Sequence, residues 1–286
     1  EMSQIELSVA DPMAVFLTAR HIVSNYIDND FFGLITYGPP GNGKTRHTII
    51  LLAQVYGEWE DARDKNGNKI SMVFEDGMNW DAWKEWMKHS LEDFLGMIDH
   101  AHNKGRQVLM GALDDAGIAA SNLRWQEQMG KALSDYANVQ RRDFACLDFT
   151  TPSPLWLLGH VRNMPGGHTA RVNKTTGNKY QRHRRYARVY EGWMSPDFKK
   201  SGVKALWDDW FSTKIPERVE REFEPVNRHY AEVAIQTARE LYYKMKGKGQ
   251  DKKAEEYRRE LAEKAGIKIK TDEEIAKGKL DEAMPP

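Results

Sequence analysis

The chain has 286 residues, with 42 Lys and Arg balanced by 42 Asp and Glu. This balance excludes a uniformly polybasic or polyacidic protein, so a charged ligand has to be met by local clustering. A mean hydropathy of −0.71, with no run of about 18 apolar residues and no basic-then-apolar amino terminus, leaves no expected membrane span and no secretory signal.

Asp11-Pro12 reads as a helix start, with Asp as N-cap and Pro at the first helical position. Phe16, Ala19, Val23, Tyr26 and Ile27 then keep helical spacing. Phe31 to Tyr37 reads as a short buried strand, and Ile49 to Val55 as a helix. Between them lies Gly38-Pro39-Pro40-Gly41-Asn42-Gly43-Lys44-Thr45, which satisfies the P-loop pattern G-x-x-x-x-G-K-[ST]. The glycines let backbone N–H groups approach phosphates with no Cβ in the way, and the following helix turns its positive end toward the negative charge. Lys44 is placed to reach the β- and γ-phosphates, and the Thr45 hydroxyl to ligate Mg²⁺. The expected nucleotide-binding set is Gly38 through Thr45 together with Arg46.

Residues 57–69 are polar and carry Asn66-Gly67, which predicts an exposed loop. Ile70 to Phe74 is a second strand. A helix is expected from about Trp80 to His102, with Trp83, Trp86, Met87, Phe94, Leu95 and Ile98 on its apolar side. Gln107 to Leu113 is a third strand, ending in Asp114 and Asp115. An apolar strand that ends in acids, downstream of a P-loop, has the form of a Walker B motif. Asp114 is expected to support Mg²⁺ and Asp115 to polarise the attacking water. Met72 to Asp76, with Glu75 and Asp76, is a rival with a shorter apolar run.

Asn122 to Val139 is expected to be helical. Phe144 to Thr150 is a fourth strand, and it carries Cys146, the single cysteine. A single cysteine excludes an intrachain disulfide, and a buried reduced thiol there fits a reducing cytoplasm. A polar residue on a strand between the P-loop strand and the Walker B strand can reach the γ-phosphate; Thr150 is the choice and Thr151 the runner-up. Leu155 to Val161 reads as a short helix.

Residues 160–188 contain eight Lys or Arg and no acid: Arg162, Arg171, Lys174, Lys179, Arg182, Arg184, Arg185 and Arg188. His168 to Val172 and Tyr186 to Tyr190 read as the strands of a hairpin, with turn residues Asn173, Gly177 and Asn178 between them. Clustered cations bind phosphate by releasing counterions, and the interleaved Tyr180 and Tyr186 can stack on bases. Nucleic-acid binding through Arg171, Lys174, Lys179, Arg182, Arg184, Arg185 and Arg188 is expected. From Ala205 to Lys244 the pattern is helical, broken by Pro216 and Pro225, and a charged tail follows from Lys246. Strands alternating with helices predict an α/β fold with a mainly parallel sheet.

The GPPGNGKT loop, the ALDD strand end and the FACLDFTTPSPLWLL segment together resemble the AAA+ superfamily of P-loop ATPases. Within it the chain looks like the DnaA and DnaC-like branch, and like the small ATPases of archaeal viruses and plasmids. The resemblance implies an additional-strand P-loop domain over 1–200, with the basic hairpin at 160–190 inserted in it. A helical lid-like region and charged tail would occupy 201–286. It implies Mg²⁺-dependent ATP hydrolysis, with Thr150 as sensor 1 and Arg162 as arginine finger, Arg141 and Arg142 being alternatives. Sensor 2 would come from Arg218, Arg221 or Arg228. It implies a homo-oligomer acting on single- or double-stranded DNA, with a replicative helicase or another replication protein as a possible partner. A P-loop kinase and a protein-remodelling ATPase are the alternatives.

Overall fold

The computed structural model describes residues 15–63, 69–116, 142–157, 161, 166–175, 183–194 and 201–246. The chain divides into two compact units, Glu1–Pro225 and Val226–Pro286. The first is an α/β unit built on a seven-stranded sheet. Its strands are β1 (Phe32–Tyr37), β4 (Met87–Lys88), β5 (Val108–Leu113), β6 (Phe144–Thr151), β7 (Gly167–Lys174), β8 (Arg184–Met194) and β9 (Ser201–Ser212), in the order β4-β5-β6-β1-β7-β8-β9. Five neighbouring strands, from β4 to β7, run parallel; β8 and β9 continue the sheet as antiparallel strands. Strands β1 and β5 are near-continuous apolar runs, buried along almost their whole length, as strands covered on both faces are. Every residue of β6 is buried.

Alternation along β6 shows how the layers are filled. Asp148 accepts the Thr48 hydroxyl of α2 (Lys44–Val55) at 2.7 Å. The next residue, Phe149, meets Phe94 of α4 (Leu91–Asn103) at 5.6 Å between ring centroids. Helices α2 and α4 therefore lie on opposite faces. Helix α1 (Leu17–Ile27) packs beside α2. Its amino-terminal cap is Asp209 of β9, which accepts the Leu17 N–H at 2.8 Å and the Thr18 hydroxyl. The start expected at Asp11-Pro12 lies outside the described residues, and the observed helix begins later than that signal.

Several expectations are corrected. The helix expected over Trp80 to His102 is two helices. After α3 (Ala82–Trp86), Met87 and Lys88 turn extended and pair with Ala112 and Leu113 as β4. Ser90 then caps α4 afresh, accepting the Asp93 N–H at 3.1 Å. The loop expected at 57–69 contains β2 (Trp59–Arg63), which pairs with β3 (Lys69–Val73) in a separate two-stranded sheet. The Leu155 to Val161 segment contains a 3-10 turn at Pro154–Trp156. Cys146 is buried, as expected, and burial raises its thiol well above the ordinary range.

The largest correction concerns 201–212, where a helical region was expected to begin. These residues form β9, the edge strand of the main sheet, with a bulge near Tyr190 and Ala205. Pro216 does precede a helix, α5 (Glu217–Lys246), but Pro225 lies inside it. A proline removes one N–H from the helical ladder and here does not end the helix. It does mark the end of the first compact unit. Expectations for Asn122 to Val139 and for the tail beyond Lys246 fall outside the described residues.

Candidate nucleotide site

Parallel pairing in register brings three strand ends to one edge: Tyr37 of β1 lies beside Thr151 of β6, and Phe149 of β6 beside Leu113 of β5. This is the edge of an open α/β sheet where ligands bind. The loop 38–43 leaves β1 here. Gly38 sits at φ +151, and a Cβ on it would stand 2.7 Å from the Val172 carbonyl oxygen, so only glycine fits. Asn42 donates its side-chain amide to that same carbonyl at 2.9 Å, tying the loop to β7. Gly43, left-handed at φ 95, is the N-cap of α2 and turns the chain into the helix. Lys44 is buried and donates to the Gly38 carbonyl at 3.1 Å. Burial lowers its pKa, while Asp115 and Asp114 hold it up.

Asp114, at the end of β5, is the hub. The Thr45 hydroxyl donates to its two carboxylate oxygens at 3.1 and 3.0 Å. The Thr150 hydroxyl donates to it from β6 and in turn accepts the Asp115 N–H at 2.7 Å. On the far side His89 Nδ1 lies 3.5 Å away. Burial pushes the Asp114 carboxyl up, but His89, Thr150 and Thr45 outweigh it and hold it below the ordinary range. Asp115 adopts a positive φ of 48, which turns its side chain out of the strand direction to the exposed mouth of the site. Enclosure by the surrounding chain, then the adjacent Asp114 charge, raise its pKa against Lys44 and His89.

Thr45, Asp114, Asp115 and Thr150 are thus brought together, beside Lys44. Thr151 is not: its hydroxyl turns back to the Ser153 carbonyl at 3.0 Å. Glu75 and Asp76 are exposed on a 3-10 turn after β3, outside the main sheet, so the rival acidic pair is excluded from this site. The Arg46 side chain turns from the first turn of α2 to α5, pairing with Glu220 and lying 5.2 Å over the Phe223 ring. Arg218 is held by Asp81 at 3.0 Å, and Arg142 and Arg221 are exposed. Arg162, Arg141, Lys179 and Arg182 lie outside the described residues. Two contributors escaped sequence reasoning. His89 follows a two-residue strand with no motif to announce it. Asp148 sits under α2 in the middle of an apolar strand, its pKa pushed up to about 7 by burial.

The hairpin at β7 and β8 is present, and alternation sorts its cations onto two faces. Arg185 is on the α2 side, buried against the loop; it lies near Gly43 together with Phe211 and Thr213. Arg171, Arg184 and Arg188 are on the opposite side. Arg188 makes a bidentate pair with Asp208 of β9 at 2.7 Å for both bonds. Lys174 is exposed at the end of β7. The basic cluster of the sequence is therefore not one surface: Arg185 serves the interior.

The donors around Asp114 are hard oxygens, a hydroxyl and a carboxylate, which suit Mg²⁺ rather than a soft metal. Among the described residues no cluster of three or more His, Cys, Asp or Glu suits a metal ion. None of their helices is long and apolar enough to cross a membrane. No protein-family model matches the chain. It is similar to uncharacterized protein B-251 of Sulfolobus spindle-shape virus 1, with 24% identity over 234 residues, covering 77% of this chain and 83% of the viral protein.

Proposed function

We propose that this protein is an Mg²⁺-dependent ATPase of the additional-strand, AAA+-like P-loop type, acting on nucleic acid. The observation that carries the reading is the convergence on Asp114 of the Thr45 hydroxyl from the loop helix and the Thr150 hydroxyl from β6. The strand order supports it, because β6 lies between β1 and β5, where a sensor residue can face the terminal phosphate.

The geometry supports one division of labour. The loop from Gly38 to Gly43 and the first N–H groups of α2 would bind the phosphates, with Lys44 as the buried cation. Thr45 and Asp114 would hold Mg²⁺, which supplies charge neutralisation on the phosphate oxygens when bound. Asp115, at the mouth, would accept a hydrogen bond from the attacking water and orient it. Thr150 fixes the backbone of Asp115 and the carboxylate of Asp114 with one hydroxyl, so it couples the two acids. Assembly into a homo-oligomer, with Arg162 acting on a neighbour's nucleotide, belongs to this proposal, as does action in helicase loading, replication initiation or DNA remodelling.

The test is the steady-state ATPase rate with and without single- and double-stranded DNA, for the wild type and Lys44→Ala. Stimulation by DNA that is lost in Lys44→Ala supports the reading. An ATPase indifferent to every nucleic acid would redirect the search to a protein substrate or a phosphoryl acceptor. No nucleotide binding at all would overturn the reading.

A further inference from the structure

The face of β7, β8 and β9 opposite α2 carries a row of aromatic and cationic side chains that only sheet pairing assembles. Tyr186 of β8 stands directly opposite Trp210 of β9, with ring centroids 5.1 Å apart. The Arg184 guanidinium lies 4.9 Å over the Trp210 ring, and Arg188 lies 5.6 Å over Tyr186. Arg171 of β7 is opposite Arg188, and Asn173 is opposite Tyr186. Trp210 is 43% exposed on an edge strand, and it stands in one group with Tyr186, Arg184 and Arg188 rather than alone.

We infer that this face is a stacking platform for single-stranded nucleic acid, with Tyr186 and Trp210 receiving bases and Arg171 and Arg184 meeting the backbone. The inference rests on the proposed nucleic-acid function and specifies its substrate. Three features select this occupant. Aromatic rings and guanidinium planes stack on exposed base faces, which a duplex keeps inside its own stack. Arg171 and Arg184 have no carboxylate within ion-pair distance among the described residues, whereas Arg188 is neutralised by Asp208 and serves to hold the Tyr186 ring. The cation–π contacts hold the rings in place before any base arrives, so less side-chain freedom is lost on binding.

The experiment is fluorescence anisotropy of a labelled oligo-dT and of a matched duplex. It is run at one fixed salt concentration on the wild type, Trp210→Ala, Tyr186→Ala and Trp210→Phe, with thermal melting and ATP binding as controls. The platform predicts tighter binding of the single strand than of the duplex. It predicts a loss of about tenfold or more in single-strand affinity for each alanine variant, largely restored in Trp210→Phe, with melting and ATP binding unchanged. If Trp210→Ala melts early, Trp210→Leu, which keeps bulk and loses the π face, replaces it. Equal affinity of the wild type and the alanine variants for oligo-dT, or preference for the duplex, overturns the platform. In that case DNA-stimulated ATPase would still stand. Absence of all oligonucleotide binding overturns the platform and the nucleic-acid half of the proposed function together, while ATP binding would remain.

Discussion

Asp209, on the edge strand β9, accepts the backbone N–H of Leu17 at 2.8 Å and so caps a helix that lies 192 residues away in the chain. The same carboxylate accepts the Thr18 hydroxyl, which itself accepts the Trp207 indole N–H at 2.9 Å. A buried acid thus fastens the first helix to the last strand of the sheet.

That carboxyl makes stability depend on pH. Burial is the main cause that raises its pKa from 3.8 to about 7. A raised folded-state pKa contributes stability that is complete below the unfolded value and is lost as pH rises through the folded one. Asp148, also raised to about 7 by burial, has the same sign. Urea midpoints measured from pH 4 to pH 8 should therefore carry a component that declines with rising pH. Asp209→Asn should remove its share of that component, leave the share of Asp148, and keep the fold.

Gly38→Ala should damage the loop from two directions. The added Cβ meets the Val172 carbonyl at 2.7 Å, and the backbone sits at φ +151. A cost of about 1–3 kcal/mol is expected from strain of this kind. Thermal melting would show it, along with weakened ATP binding as the loop shifts from β7.

Thr150 and Thr151 are neighbours with different fates, so they make a paired test. Thr150→Val removes the hydroxyl that links Asp114 to the Asp115 backbone. A fall in kcat of about tenfold to a hundredfold is expected, in the range for loss of a group that orients a metal-holding carboxylate. Thr150→Ser should restore much of it. Thr151→Ala should leave kcat close to the wild type, because its hydroxyl serves a local turn.

His47 is buried, stacked on Phe16 at 5.1 Å, and neither ring nitrogen has a hydrogen-bond partner among the described residues. An unsatisfied buried polar group costs about 1–3 kcal/mol. His47→Phe, which keeps the stack, should raise the melting temperature at neutral pH. A lower melting temperature would mean that the imidazole has a role beyond packing.

The local chemistry of the chain was legible because local chemistry produces it. GPPGNGKT between an apolar strand and a helix reads directly as a tight glycine turn into a helix, and Gly38 and Gly43 make that turn. The ALDD strand end and the hairpin of 168–190 follow from apolar runs and alternation over a few residues. Ser90-Leu91-Glu92-Asp93 was equally legible as a helix start, and the long aromatic periodicity from Trp80 obscured it. What tertiary structure alone decided involves partners distant in sequence. Residues 201–212 have a spacing compatible with a helix, yet they form β9 because pairing with β8 satisfies their backbone and buries Asp209 and Phe211 beside α1 and α2. That pairing sends Arg185 inward to the loop and places Trp210 beside Tyr186. The residue types of the site are written in the chain. Which cation faces the loop and which faces outward is set by the period-two alternation of strands, and the alternation acquires meaning only when the sheet fixes which side is the core.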